Sequence, residues 1–251
     1  MNLDRSSNPA FSSSRFAEAA RSFAGTGQMT VKGVATKSLL LLALAFLTAT
    51  ITWKMVGVGS PAVVPLMIVG LIGSTVGVIF CCVKQEKAFI WAPIYALFEG
   101  LTLGALSAFF ESMVPGIAAM AVFITLAVSG VVFACYHFGI LQASNTFIKV
   151  ITYATLGIGA FYILSMILRL FGPNLSVENM GGGPGIIIQI VIVVVAALNL
   201  VLDFKTIEDG VSQGAPAQFE WYAGFGLMVT LVWVYMEILR LLFILASSSR
   251  D

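Results

Sequence analysis

Long apolar runs, broken by only a few polar positions, recur from Ser38 to near the end of the chain, and they limit what it can become. A hydrocarbon core about 30 Å thick takes roughly 20 apolar residues of helix, since only a helix or a closed barrel satisfies its own backbone hydrogen bonds there. Seven runs meet or approach that length: residues 38–53, 63–83, 89–110, 117–136, 147–171, 186–204 and 221–246. The expectation is an all-α, polytopic integral membrane protein, a seven-transmembrane-helix bundle over residues 38–251 behind a polar, basic tail of residues 1–37. Composition agrees, with 59% apolar or aromatic and 10% charged residues, where soluble domains carry about 25% charged residues. Thirteen Lys and Arg nearly cancel 12 Asp and Glu, so no basic face offers itself to nucleic acid.

The tail holds Arg5, Arg15, Arg21, Lys32 and Lys37 and lacks the apolar core of a signal peptide, so it reads as a retained cytoplasmic segment. It is either an unstructured leader or a lipid-surface helix over 11–23, with Phe11, Phe16, Ala19, Ala20 and Phe23 on one face. With the N-terminus inside, nine basic residues face the cytoplasm: those five with Lys84, Lys87, Lys149 and Lys205. Three, Lys54, Arg169 and Arg250, face outward, and seven crossings then leave the C-terminus outside. The first run is the shortest and ends against Lys54. Gly73 with Gly77, and Gly100 with Gly104, form two G-x-x-x-G pairs suited to close helix packing, within one chain or between chains.

Charge inside hydrocarbon costs at least about 2.5 kcal/mol, so each intramembrane charge needs a partner, a wet cavity or a proton. Glu99 lies mid-run, six residues after Pro93, and reads either as a buried neutral acid or as a proton- or cation-binding carboxylate. Glu237 and Arg240, three residues apart, share a helix face and form either a self-neutralising pair or a switch, in which Arg240 turns to another carboxylate such as Glu99 and frees Glu237. Asp203, Glu208 and Asp209 surround Lys205 at the end of the sixth run. They are solvated helix-end charges or part of an oxygen-rich cation site, with Asn199 as a neighbour one turn back. These are the ion- and proton-pathway candidates.

Little else carries chemistry. His137 stands alone beside Cys135, and Cys81 and Cys82 are adjacent in one run, which suits inert buried thiols. No G-x-S-x-G, H-E-x-x-H or P-loop occurs, and the GGGPG run at 181–185 reads as a loop. Neither an enzyme nor a resident cofactor is expected, beyond a transported or regulatory calcium ion, and no metal ligand set is assigned.

The segments KAFIWAPIYALFEGLTLGALSAFFE (87–111), LNLVLDFKTIEDG (198–210) and SNPAF (7–11) resemble the transmembrane Bax inhibitor motif family, most closely its bacterial Bax inhibitor-like, YccA-type branch. The resemblance implies a seven-helix bundle in a cell membrane with a central last helix. It also implies a pH-sensitive calcium leak linked to acidic residues on the sixth and seventh helices. Asp203 matches the sixth-helix acid, with Ile207 in register. With Arg240 aligned to the family's late basic residue, the seventh-helix acid falls on Thr230, and Glu237 lies two turns further on. Two roles follow: a proton-regulated cation channel or carrier, or a non-transporting membrane protein that modulates a membrane protease or a stress or cell-death assembly through its tail and inner loops.

Overall fold

The structure, a computed structural model, describes residues 27–169, 171 and 182–248; the surface-helix alternative over 11–23 lies outside them, as does most of the connection before the sixth run. Seven helices long and apolar enough to cross a membrane occur among these residues. They are α1 (Val31–Gly57), α2 (Val63–Val83), α3 (Ala88–Met113), α4 (Ile117–His137), α5 (Asn145–Arg169), α6 (Gly182–Ser212) and α7 (Phe219–Ser248). A short 3₁₀ turn, Gln85–Lys87, leads into α3. Large apolar side chains such as Phe46, Phe123 and Tyr153 are at least 70% exposed, an arrangement stable only where lipid is the solvent. The chain is a multi-pass membrane protein in contact with the bilayer.

The helix ends follow caps rather than hydropathy. α1 begins well inside the stretch expected as tail, because the Thr30 hydroxyl accepts the Gly33 N–H at 2.9 Å and satisfies one of the orphan donors of a first turn. Lys32 and Lys37 are therefore helical, and 27 residues make a helix of about 40 Å. The first span is thus long enough to cross, and Lys54 falls in its last turn, where the helix dipole favours a cation. At the other end, the GGGPG run is not simply a loop. Gly182, Gly183, Pro184 and Gly185 open α6, where a proline in the first turn removes no intrahelical bond. α6 then runs 31 residues, past Phe204 to Ser212. α3 continues unbroken through Pro93.

The described residues form two compact units. One comprises those up to Gly104 together with Lys205–Met228; the other comprises Ala105–Phe204 and those from Val229 onward. In the first, the glycine pairs prove to be intrachain contacts. A Cβ on Gly100 would lie 2.1 Å from the Ala45 carbonyl oxygen, and one on Gly104 2.2 Å from that of Ala49, so α3 meets α1 backbone to backbone. Gly73 admits the ring of Phe98 and Gly77 the backbone of Tyr95, both on α3. Around the start of α7, Met29, Val34, Ile207, Ala215, Phe219 and Ala223 form a buried cluster. There Gln85 donates to the Tyr222 hydroxyl, and the Gln218 amide donates to the Glu86 carbonyl.

The second unit is built on Ile117, Ala121, Ala196, Val234, Ile238 and Leu239, drawn from α4, α6 and α7. A smaller cluster joins Ile192 and Ile244 to Ile158 and Phe161 of α5. Glu111 caps α4, accepting the Gly116 and Ala118 N–H groups at 2.6 and 3.0 Å. Of the thiols, Cys81 is buried, Cys135 half-buried and Cys82 exposed, so the expectation of buried cysteines holds only in part. His137 stacks on Phe133 one turn back at the end of α4.

Candidate functional site

The sequence candidates separate into distinct polar centres. In the second unit, Asp203 of α6 accepts a hydrogen bond from Thr230 of α7, the residue on which the resemblance places the second family acid. Its Oδ2 atom is buried without a hydrogen-bond partner among the described residues. Thr102 Oγ1, Ser129 Oγ and Gln189 Oε1 share that condition, but only Asp203 among the four is ionisable, and an unmet carboxylate oxygen is the costliest of these to bury. Asn199, expected as its neighbour, turns elsewhere. Its amide donates to Thr155 Oγ1 of α5 and to the Val195 carbonyl, both at 2.8 Å, because its side chain projects from the α6 face that meets α5.

Glu237 has the opposite environment. It is 2% exposed and surrounded by donors. The Tyr162 hydroxyl of α5 lies 3.0 and 2.9 Å from its two oxygens, Gln189 Nε2 of α6 is at 2.8 Å, Trp233 Nε1 at 3.0 Å and Arg240 Nη1 at 3.1 Å. Gln189 also bonds the Glu237 carbonyl, and Arg240 donates to the Tyr162 hydroxyl at 2.7 Å while lying over its ring. The Glu237–Arg240 pairing expected from spacing is present, as one edge of a larger network. Three of its members went unnoticed in the sequence. Gln189 is the first amide in an otherwise aliphatic run and Trp233 sits four residues before Glu237, both legible signals, whereas Tyr162 carries none.

Glu99, in the first unit, hydrogen-bonds Ser74 of α2. Thr102, one turn further along α3, packs toward Gly70. Lys205 pairs with Asp209 at 2.6 Å across one helical turn, both half-exposed, and no group of three or more His, Cys, Asp or Glu converges as a metal site among the described residues. Glu208 and Asp209 lie near the C-terminal end of α6. Glu220, in the first turn of α7, carries no sequence signal of a buried role. It is 5% exposed and accepts from the Thr30 N–H and hydroxyl and from Lys37.

Among curated proteins none matches the chain. The family model described as Bax inhibitor 1 like matches residues 8–247, a span that includes Glu99, Asp203, Glu220 and Glu237. The chain belongs to the Bax inhibitor 1 like family.

Proposed function

We propose that this protein is a proton-sensitive cation leak, calcium being the favoured ion, with Asp203 as the responsive carboxylate. The observation that carries this reading is the buried, unpartnered Oδ2 of Asp203 beside Thr230. An intramembrane carboxylate with an unmet oxygen gains from binding a proton or a cation, and doing so alters the contact between α6 and α7. Glu237 and Arg240, held by Tyr162, Gln189 and Trp233, serve as a fixed framework further along α7, and Glu99 with Ser74 is a separate protonatable centre. The proposed role is non-enzymatic and needs no resident cofactor.

The proposed orientation in a cell membrane, such as a bacterial inner membrane, has the N-terminus cytoplasmic and the C-terminus outside. It is supported by the Lys and Arg distribution, while the pairing of Gln28 with Pro216 fits the number of crossings in either orientation. Seven crossings require the approach to α1 and the α6–α7 turn to share a side.

The test is calcium flux into proteoliposomes across a pH series. Wild type is expected to leak with a pH-dependent rate, and Asp203→Asn, which cannot titrate, to flatten that profile; Glu99→Gln resolves whether the second centre contributes. Wild-type flux no greater than that of empty liposomes, or a pH profile unaltered in Asp203→Asn, overturns the reading and leaves the non-transporting, partner-modulating role.

A further inference from the structure

Residues 27–37 do more than lead into α1. The Met29 N–H donates to the Ala215 carbonyl and the Ala217 N–H to the Gly27 carbonyl, each at 2.7 Å, around an antiparallel bridge between Gln28 and Pro216. A bridge this short does not persist alone, because two-stranded pairs are marginal even at greater length. What accompanies it is one carboxylate. Glu220 accepts the Thr30 N–H at 2.9 Å, the Thr30 hydroxyl at 3.0 Å and the Lys37 ammonium, which also lies over the Trp221 ring. Gly33 makes this approach feasible, since a Cβ there would sit 2.0 Å from Glu220 Oε1. Met29, at 2% exposure, and Val34, at 1%, fill the apolar floor beneath.

We propose that residues 27–37 form a strap clamped across the α6–α7 turn by Glu220, and that strap and turn open and close together as a cooperative unit distinct from the rest of the helices. The reasoning is one of shared dependence. Replacing the carboxylate by an amide leaves one acceptor oxygen where the Thr30 N–H, the Thr30 hydroxyl and the Lys37 ammonium had two and a charge, and the remaining bridge bonds cannot repay the ordering entropy of the strap.

Hydrogen exchange on the full chain in lipid nanodiscs tests this. Glu220→Gln is expected to raise exchange at Met29, Thr30 and Ala217 together, by about tenfold or more, with α2 and α4 unchanged. Gly33→Ala, which keeps the charge but displaces the carboxylate, is expected to reproduce that pattern, and Lys37→Gln to give a smaller rise at the same amides. A rise at Thr30 alone, no rise in either Glu220→Gln or Gly33→Ala, or a rise spread equally over all helices overturns the proposal.

Discussion

Replacing Glu237 by Gln and Asp203 by Asn makes the same chemical change, one oxygen for one amide, in two environments that predict opposite outcomes. Around Glu237, four side chains donate hydrogen bonds to the carboxylate. A glutamine keeps one acceptor oxygen and turns its NH₂ toward groups that are themselves donors. Interhelical hydrogen bonds in membranes are worth about 0.6 kcal/mol each on average, so the two neutral donors from other helices, Tyr162 and Gln189, account for about 1 kcal/mol. The Arg240 guanidinium loses its counter-charge as well, and removing one partner of a buried ion pair costs about 3–5 kcal/mol. Because the Arg240 side chain is still 25% exposed, the lower end of that range applies, and with the neutral bonds added Glu237→Gln is expected to lose about 4 kcal/mol. Asp203→Asn sacrifices no bond at Oδ2 and is expected to change stability by under about 1 kcal/mol. Reversible unfolding in mixed micelles, titrated with sodium dodecyl sulfate, measures both. Equal stability of Glu237→Gln and wild type, or a larger loss in Asp203→Asn than in Glu237→Gln, refutes the assignment of Glu237 to the framework and Asp203 to the responsive position.

Three further outcomes follow from the geometry. Thr230→Asp places a second carboxylate against Asp203; it should steepen the pH dependence of calcium flux and make the variant less stable at alkaline than at acidic pH, since two adjacent anions repel. Gly104→Ala drives a Cβ into the Ala49 backbone and should cost about 1–3 kcal/mol, whereas Gly130→Ala, with nothing within 4 Å, should be neutral or gain up to about 1 kcal/mol from helix propensity, as thermal unfolding in detergent would show. Lys205→Gln removes a half-exposed i,i+4 pair and should shift stability by no more than about 0.5 kcal/mol by the same measurement.

Hydropathy located every span, because the cost of unpaired backbone in hydrocarbon leaves a helix as the reading of a long apolar run. It misplaced the ends where a cap or a charged overhang decides: Thr30 starts α1 among polar residues, and α6 keeps its helix through Lys205 and Asp209. The glycine spacing announced close packing, but only the Cβ geometry at Gly100 and Gly104 identifies α1 as the partner. Among the site residues, Asp203 with Thr230 was legible through the register of a family resemblance. The donors on Glu237 come from α5, α6 and α7, and sequence separation hides such convergence: Tyr162 lies 75 residues away from Glu237 in the chain. Glu220 escaped for the opposite reason. It stands among polar loop residues, where an acid looks solvated until Gly33 is seen to admit its carboxylate.

The unequal helix lengths bear on which membranes suit this protein. α2 and α4, with 21 residues each, measure about 32 Å, close to the hydrocarbon thickness, while α6 with its 31 residues measures about 46 Å. The long helices meet a thicker bilayer by changing tilt or overhang. The short ones have no such reserve, so α2 and α4 set the upper limit, beyond which the lipid must thin around them at a cost of fractions of a kcal/mol per Å. Acyl-chain length is thereby a control variable for this protein, acting through hydrophobic mismatch at its two shortest spans.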